Sequence, residues 1–347
     1  MKNIFLFIKR SVLSCSKTLY PGYFALVMAT GALSICSYFL QFKVLAALLL
    51  GAAFLAYSVL SILTVIRLFV YPKKIFIDLA DHSRGPGFFT QVAASAILGA
   101  AFFVQNLYSA FSDFFWWLGL ALWLLVMYSF FIIITVRPKK PTLTEGLNGA
   151  WLLAAVATQS MAVLSVLLAG NDAGELKAFI GLCFYFLGAI LYLSIIPLIL
   201  YRLTFLKVTV DSLTPPYWIN MGAVAITTLA GATLVGHGGS AVIQPFLGFI
   251  SGLTLLFWVA ASWWIPLLLG LTVWRYGVHR YSFQYEPSLW SAVFPLAIYS
   301  TATWSLSKQL ELVFLQPIAP LFFTLAMLTW LLTNIGFWRM VFRSFRR

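Results

Sequence analysis

The chain alternates long apolar blocks with short polar interruptions. About 20 mainly apolar residues cross a bilayer as a helix. Blocks of that order occur at roughly 22–40, 44–71, 88–105, 114–136, 149–169, 177–201, 216–235, 242–274, 288–306 and 313–338. The stretches between them are too short for a soluble domain. The pattern predicts an all-α integral membrane protein with ten transmembrane helices filling residues 21–338. A cytoplasmic basic amphipathic segment is expected over 1–20, and a cytoplasmic basic tail over 339–347.

The odd-numbered blocks open alike. Pro21-Gly22-Tyr23-Phe24, Gly85-Pro86-Gly87-Phe88-Phe89, Asn148-Gly149-Ala150-Trp151, Pro215-Pro216-Tyr217-Trp218 and Pro287-Ser288-Leu289-Trp290 stand at their starts. With Phe24, Phe89, Trp151, Trp218 and Trp290 taken as equivalent, the spacings are 65, 62, 67 and 72. A near-constant period means one two-helix unit repeated five times. Odd blocks are rich in small residues, as in Ala93-Ala94-Ser95-Ala96, and even blocks are bulky, as in Phe114-Phe115-Trp116-Trp117. Small residues let backbones approach closely or line a narrow passage, and bulky ones face lipid. The expected architecture is five helical hairpins around a quasi-fivefold pore, with the odd helices inside and the even helices outside.

Four residues past the aromatic markers stand Met28, Ala93, Ala155, Gly222 and Phe294; seven past them stand Gly31, Ala96, Thr158, Ala225 and Ala297. Residues three apart share a helix face. If that face points at the axis, one layer is wholly small and the other carries a single large ring, wide enough to plug a passage of that width. The alternative is that the small layers only pack helices and Phe294 fills the core. Pro295 removes a backbone donor in mid-span and is expected to kink the ninth helix behind that ring.

Composition agrees with the blocks. Hydrophobic residues make up 62% of 347, and only 9% are charged, against roughly 25% in soluble domains. A soluble enzyme, a disordered chain and a nucleic-acid binder are excluded. The net charge of +13 is a topology signal, because all of the 22 Lys and Arg except Lys43, Lys177 and Lys308 fall on one side of the predicted spans. The positive-inside rule makes that side cytoplasmic, both termini included, and the location a cell inner (plasma) membrane. The apolar run Ile4–Ile8, broken by Lys9 and Arg10, is too short for a signal peptide and is expected to stay, lying on the membrane surface.

Chemistry-bearing motifs are missing. Cys15, Cys36 and Cys183 stand apart, with neither disulfide nor zinc spacing. The nine acids lie in loops or at span ends, which argues against a proton-coupled pump, for intramembrane acids mark proton relays. No GxSxG, HExxH or P-loop occurs, so no enzyme activity, cofactor or metal is expected. A pore without fixed charge still favours anions if its mouths are basic. Hydroxyls and amides such as Thr158, Gln159, Ser160, Asn220, Thr227, Thr228, Ser300 and Thr301 would then offer weak sites, or bond helix to helix.

Pro21-Gly22-Tyr23-Phe24-Ala25-Leu26-Val27-Met28-Ala29-Thr30-Gly31, the stretch from Pro216 to Ile226, and Trp290-Ser291-Ala292-Val293-Phe294-Pro295-Leu296 resemble the first-, seventh- and ninth-helix motifs of the tellurite-resistance/dicarboxylate transporter family. That family includes bacterial TehA, the yeast malic acid permease and the plant guard-cell slow anion channels. The resemblance implies a homotrimer with one pore per protomer and a phenylalanine gate in the ninth helix, a place that Phe294 occupies. It implies an anion channel or uniporter for small inorganic or organic anions. The alternative is a secondary transporter of malate-like dicarboxylates, or of toxic oxyanions such as tellurite or sulfite. Only the ninth inner helix carries a mid-span proline, so kinks in the other four are not carried over.

Overall fold

The computed structural model describes residues 12–107, 109–170 and 174–345. Lys2, Lys9 and Arg10 of the expected surface segment, and the acid Asp172, lie outside the described residues; residues 12–18 are helical. The described residues form helices and no strand. Ten long helices carry the fold: α1 (Ala25–Phe39), α2 (Lys43–Val70), α3 (Phe89–Val104), α4 (Ser109–Val136) and α5 (Leu153–Leu167), then α6 (Gly174–Phe205), α7 (Ile219–Gly236), α8 (Leu247–Val273), α9 (Trp290–Gln309) and α10 (Ile318–Phe345). The last of these runs through residue 339, so the tail is helical as far as 345.

Nine of the described helices are long and apolar enough to cross a membrane by themselves. The tenth is α9, whose second half carries Ser300, Thr301, Thr303, Ser305, Ser307 and Lys308. Its neighbours supply the apolar setting, because α9 packs against α1, α7 and α10 and most of its residues are buried.

The odd helices close a ring in the order α1, α3, α5, α7, α9 and back to α1. Each even helix packs on its own hairpin partner and leans on the next odd helix, α10 on α1 included. Bulky side chains on the outer helices, such as Leu48, Phe69, Trp117, Ile132 and Trp263, are exposed at the periphery, as lipid-facing residues must be.

A repeated hydrogen bond sets the stagger. The Trp123 indole donates to Thr158 Oγ1 (2.9 Å), Trp258 to Thr303 Oγ1 (3.0 Å) and Trp330 to Thr30 Oγ1 (2.9 Å), and the Tyr57 and Ser95 hydroxyls share a bond of 2.7 Å. In each case an aromatic residue of an outer helix meets a hydroxyl of the following inner helix. A polar tip on an aromatic ring needs a partner when buried, and this one is supplied across the hairpin boundary.

Each inner helix begins with a 3₁₀ turn: Pro21–Phe24, Gly85–Phe88, Gly149–Leu152, Pro215–Trp218 and Pro287–Leu289. A proline at the start of a helix forfeits no hydrogen bond and presets φ. The five turns touch one another in sequence and form a smaller ring at one end of the molecule. Glycine is needed where two turns meet: a Cβ at Gly87 would lie 2.8 Å from the Gly22 nitrogen, and one at Gly149 would strike the Pro216 carbonyl.

Candidate functional site

The axis of the ring is the one place to which all five repeats contribute. At the end where the inner helices begin, a cavity of about 250 Å³ is lined by Tyr20, Ser83, Asn148, Thr214, Glu286 and Ser288, with at least one residue from each opening turn or the loop before it. At the other end, a vestibule of about 190 Å³ is lined by Ile35 and Phe39 of α1, Ala100 and Val104 of α3, and Val163 and Leu167 of α5. Leu229 and Thr233 of α7, with Ser305 and Gln309 of α9, complete it.

Between these cavities the inner helices carry the residues singled out from sequence. Met28 and Phe294 are 1% exposed, while Ala93, Ala96, Ala155, Ala225 and Ala297 have no exposed surface. Gly31 and Gly222 are buried as well. Gly222 lies against α9, since a Cβ there would sit 2.7 Å from Pro295 Cγ. Gly31 likewise faces α3, where a Cβ would lie 2.8 Å from Ile97 Cγ2.

Thr158, expected to line the pore, has its hydroxyl engaged within the protein, donating to the Ala154 carbonyl. Its hydroxyl is held by Trp123 of the outer helix α4, in the place that Thr30 and Ser95 take in α1 and α3. Thr158 is six residues past Leu152, as Thr30 is six past Phe24 and Ser95 six past Phe89. The register of α5 is therefore one residue later than the Trp151 marker implies. The Trp151 ring is fixed by the loops instead, donating to the His82 and Gly146 carbonyls at 2.9 Å each.

The other hydroxyls are largely spent on backbone. Ser160, Thr227, Thr228 and Thr301 donate to the carbonyl four residues earlier, Ser300 donates to Ala319 of α10, and the Gln159 amide donates to Tyr185 of α6. Asn220 is fully buried, with neither side-chain atom hydrogen-bonded.

A set of arginines escaped the sequence reading, which counted them only for topology. Arg67 ends α2, Arg137 follows α4, Arg202 ends α6 and Arg275 follows α8, one in each of the first four repeats. Each holds a loop that leads into an opening turn. Arg67 pairs with Asp78 at 2.6 Å, Arg137 donates to the Ala80 carbonyl, Arg202 to the Thr144 carbonyl and the Tyr217 hydroxyl, and Arg275 to the Leu213 carbonyl. Among the described residues only Arg67 of these four has a carboxylate partner, an acid it shares with Arg84 at 2.9 Å. The recurrence of one arginine at the end of each of the first four hairpins was the signal. Together with the exposed Arg84, Lys139 and Lys140 they make a positive collar at the end of the molecule where the opening turns lie. Within the collar, burial and then the Arg137 charge push the His82 imidazole below its usual value. Burial raises the Tyr20 phenol, against the opposing pull of Arg84.

Comparison with known proteins places this arrangement. An uncharacterized membrane protein of Mycobacterium tuberculosis is 35% identical over 146 residues, 42% of this chain and 74% of that protein. An uncharacterized transporter of Methanocaldococcus jannaschii is 25% identical over 83% of this chain and 84% of its own length. A sulfite efflux pump of Arthroderma benhamiae is 22% identical over 90% of this chain and 88% of the pump. Residues 18–338 match the voltage-dependent anion channel family, and with nearly the whole ten-helix ring inside that match the chain belongs to this family of anion-transporting membrane proteins.

Proposed function

We propose that the protein is a channel or uniporter for small monovalent anions, with a pathway along the ring axis closed by the Phe294 ring. One observation carries the reading: cavities built from all five repeats lie at both ends of the axis, and the residues between them are buried. The lining of the vestibule supports one choice of helix phase. Ile35, Ala100, Val163 and Leu229 each lie seven residues past Met28, Ala93, Val156 and Gly222, and Ser305 lies eleven past Phe294. Two or three helical turns return a residue to nearly the same face. Met28, Ala93, Val156, Gly222 and Phe294 then form the narrow layer. Gly31, Ala96, Ala225 and Ala297 flank it, and Val156 takes the axial place expected of Ala155.

Anion preference comes from the exposed part of that collar, Arg84, Arg137, Lys139 and Lys140. It raises the local anion concentration at the mouth without placing a fixed cation in the pathway, where tight binding would slow release. The positive-inside rule puts the collar on the cytoplasmic side of the plasma membrane, with both termini there. A second reading is favoured by the fungal relatives named sulfite efflux pumps: a carrier that exports sulfite or another toxic oxyanion, or a dicarboxylate carrier of the same class. A substrate that carries its own proton would need no intramembrane acid.

Proteoliposomes containing the purified chain separate the two. Chloride and nitrate flux that follows the electrochemical gradient of the anion and is unchanged by a pH gradient supports the channel. Sulfite or malate uptake driven by the pH gradient, without chloride flux, would overturn it.

A further inference from the structure

We propose that the groove between α8, α9 and α10 is a binding site for an anionic phospholipid, whose phosphate is held by Arg275. The groove encloses about 350 Å³. Its walls are apolar, with Leu268 and Leu271 on one side and Leu296 and Leu325 on the other. It opens on the periphery, where Leu269, Phe283 and Leu332 are exposed.

Arg275 stands in the groove wall and is only 3% exposed. One terminal nitrogen is bound to the Leu213 carbonyl, and the guanidinium lies 4.2 Å from the Tyr281 ring centre and 5.1 Å from that of Tyr276. Its Nε is buried without a hydrogen-bond partner, and among the described residues no carboxylate pairs with it. A buried guanidinium is costly unless an anion compensates it. The protein offers aromatic faces and a carbonyl, which solvate a cation but do not neutralise it.

Depth and direction identify the missing anion. Arg275 follows directly on the end of the apolar helix α8 and is flanked by tyrosines, the setting of the headgroup region, where lipid phosphates lie. Ala292 and Leu296, which line the groove, are two residues either side of Phe294, so they lie on the opposite face of α9. The groove is thus behind the gate helix and separate from the proposed anion pathway. A phosphate on an acyl chain satisfies both the cation and the apolar walls, and a transported anion satisfies only the first.

Native mass spectrometry of the full-length protein reads the occupancy, using palmitoyl-oleoyl phosphatidylglycerol against phosphatidylcholine of the same chains. The expected result is one phosphatidylglycerol retained per chain, preferred by about tenfold, because the choline ammonium of the other lipid already compensates the phosphate that both carry and only phosphatidylglycerol brings a net charge to Arg275. Arg275→Gln should abolish the preference. Thr329→Trp, which fills the groove and leaves the guanidinium in place, should lower retention of both lipids, and it decides the matter if Arg275→Gln does not assemble. Equal retention of the two lipids by the wild type would overturn the proposal, as would a preference that survives both substitutions. Inorganic phosphate bound without lipid would make the site one for a free anion. Loss of oligomer in Thr329→Trp with no lipid on the wild type would make the groove a seam between copies. Either result sinks the lipid assignment.

Discussion

Phe294→Ala tests the gate most directly. The ring is 1% exposed, and the layer proposed around it consists of Met28, Ala93, Val156 and Gly222. Truncation removes the whole phenyl group and leaves room for about two or three waters, at roughly 30 Å³ each. An anion crossing the intact layer must shed hydration among apolar groups, at a cost of several kcal/mol. Water in the vacated space would recover about 3–4 kcal/mol of that cost, and each 1.4 kcal/mol is tenfold. Chloride flux through Phe294→Ala should therefore exceed wild type by about a hundredfold to a thousandfold. Planar-bilayer current under a chloride gradient measures it, with Phe294→Leu expected in between. Truncating a buried phenylalanine costs ~3–5 kcal/mol in a dry core, and less if water enters, so thermal unfolding should accompany the recordings. A well-assembled Phe294→Ala protein that conducts no better than wild type would refute the plug and leave Phe294 as core packing.

Other substitutions probe the surroundings of that ring. Gly222→Val should reduce flux in the Phe294→Ala background, because its side chain meets Pro295; Gly252→Val, where an added Cβ meets nothing within 4 Å, is the silent control in the same recordings. Asp78→Asn leaves Arg67, whose side chain is 4% exposed, without its counter-charge, and breaking such a buried pair costs ~3–5 kcal/mol; a clear fall in melting temperature in detergent is expected. Glu286→Gln removes the carboxylate from the mouth cavity and should raise anion flux about twofold to fivefold at low salt, an effect that fades in high salt. The lowered pKa of His82 means the fold favours its neutral ring, so its contribution is full above 6.5 and is lost as pH falls through the folded value. His82→Asn should flatten the drop in melting temperature between about pH 7 and 5, and an unchanged drop would assign it to other groups.

Hydropathy made the helices legible because lipid demands apolar stretches of fixed length. It was weakest for α9, which is enclosed by other helices rather than lipid and can hold hydroxyls; the Pro287-Ser288-Leu289-Trp290 opening recovered it through the repeat. Rotation about the helix axis was harder to read. In α5 the aromatic marker was one residue out of step, because the Trp151 ring answers to carbonyls in the loops and not to the ring of helices. Thr158 then seemed axial although its hydroxyl serves Trp123. Residue type alone does not say which way a threonine points. The arginines Arg67, Arg137, Arg202 and Arg275 carried two messages at once: their side of the membrane was visible in the sequence, and their hold on the loops needed coordinates.

The bond from Trp330 to Thr30 joins the last long helix to the first in the same manner as the three like it within the chain. The contacts of the ring therefore do not register where the polypeptide begins. Such a closed head-to-tail arrangement should accept circular permutation. A short linker from the end of α10 to Tyr20, with new termini in the loop at residues 206–213, would preserve every hairpin and every contact between hairpins. By the same logic a construction of six units, or of four, is a question about the angle between neighbours alone. The bore of such a protein would be set by how many times one element is copied, and its diameter becomes a quantity that gene duplication can change in whole steps.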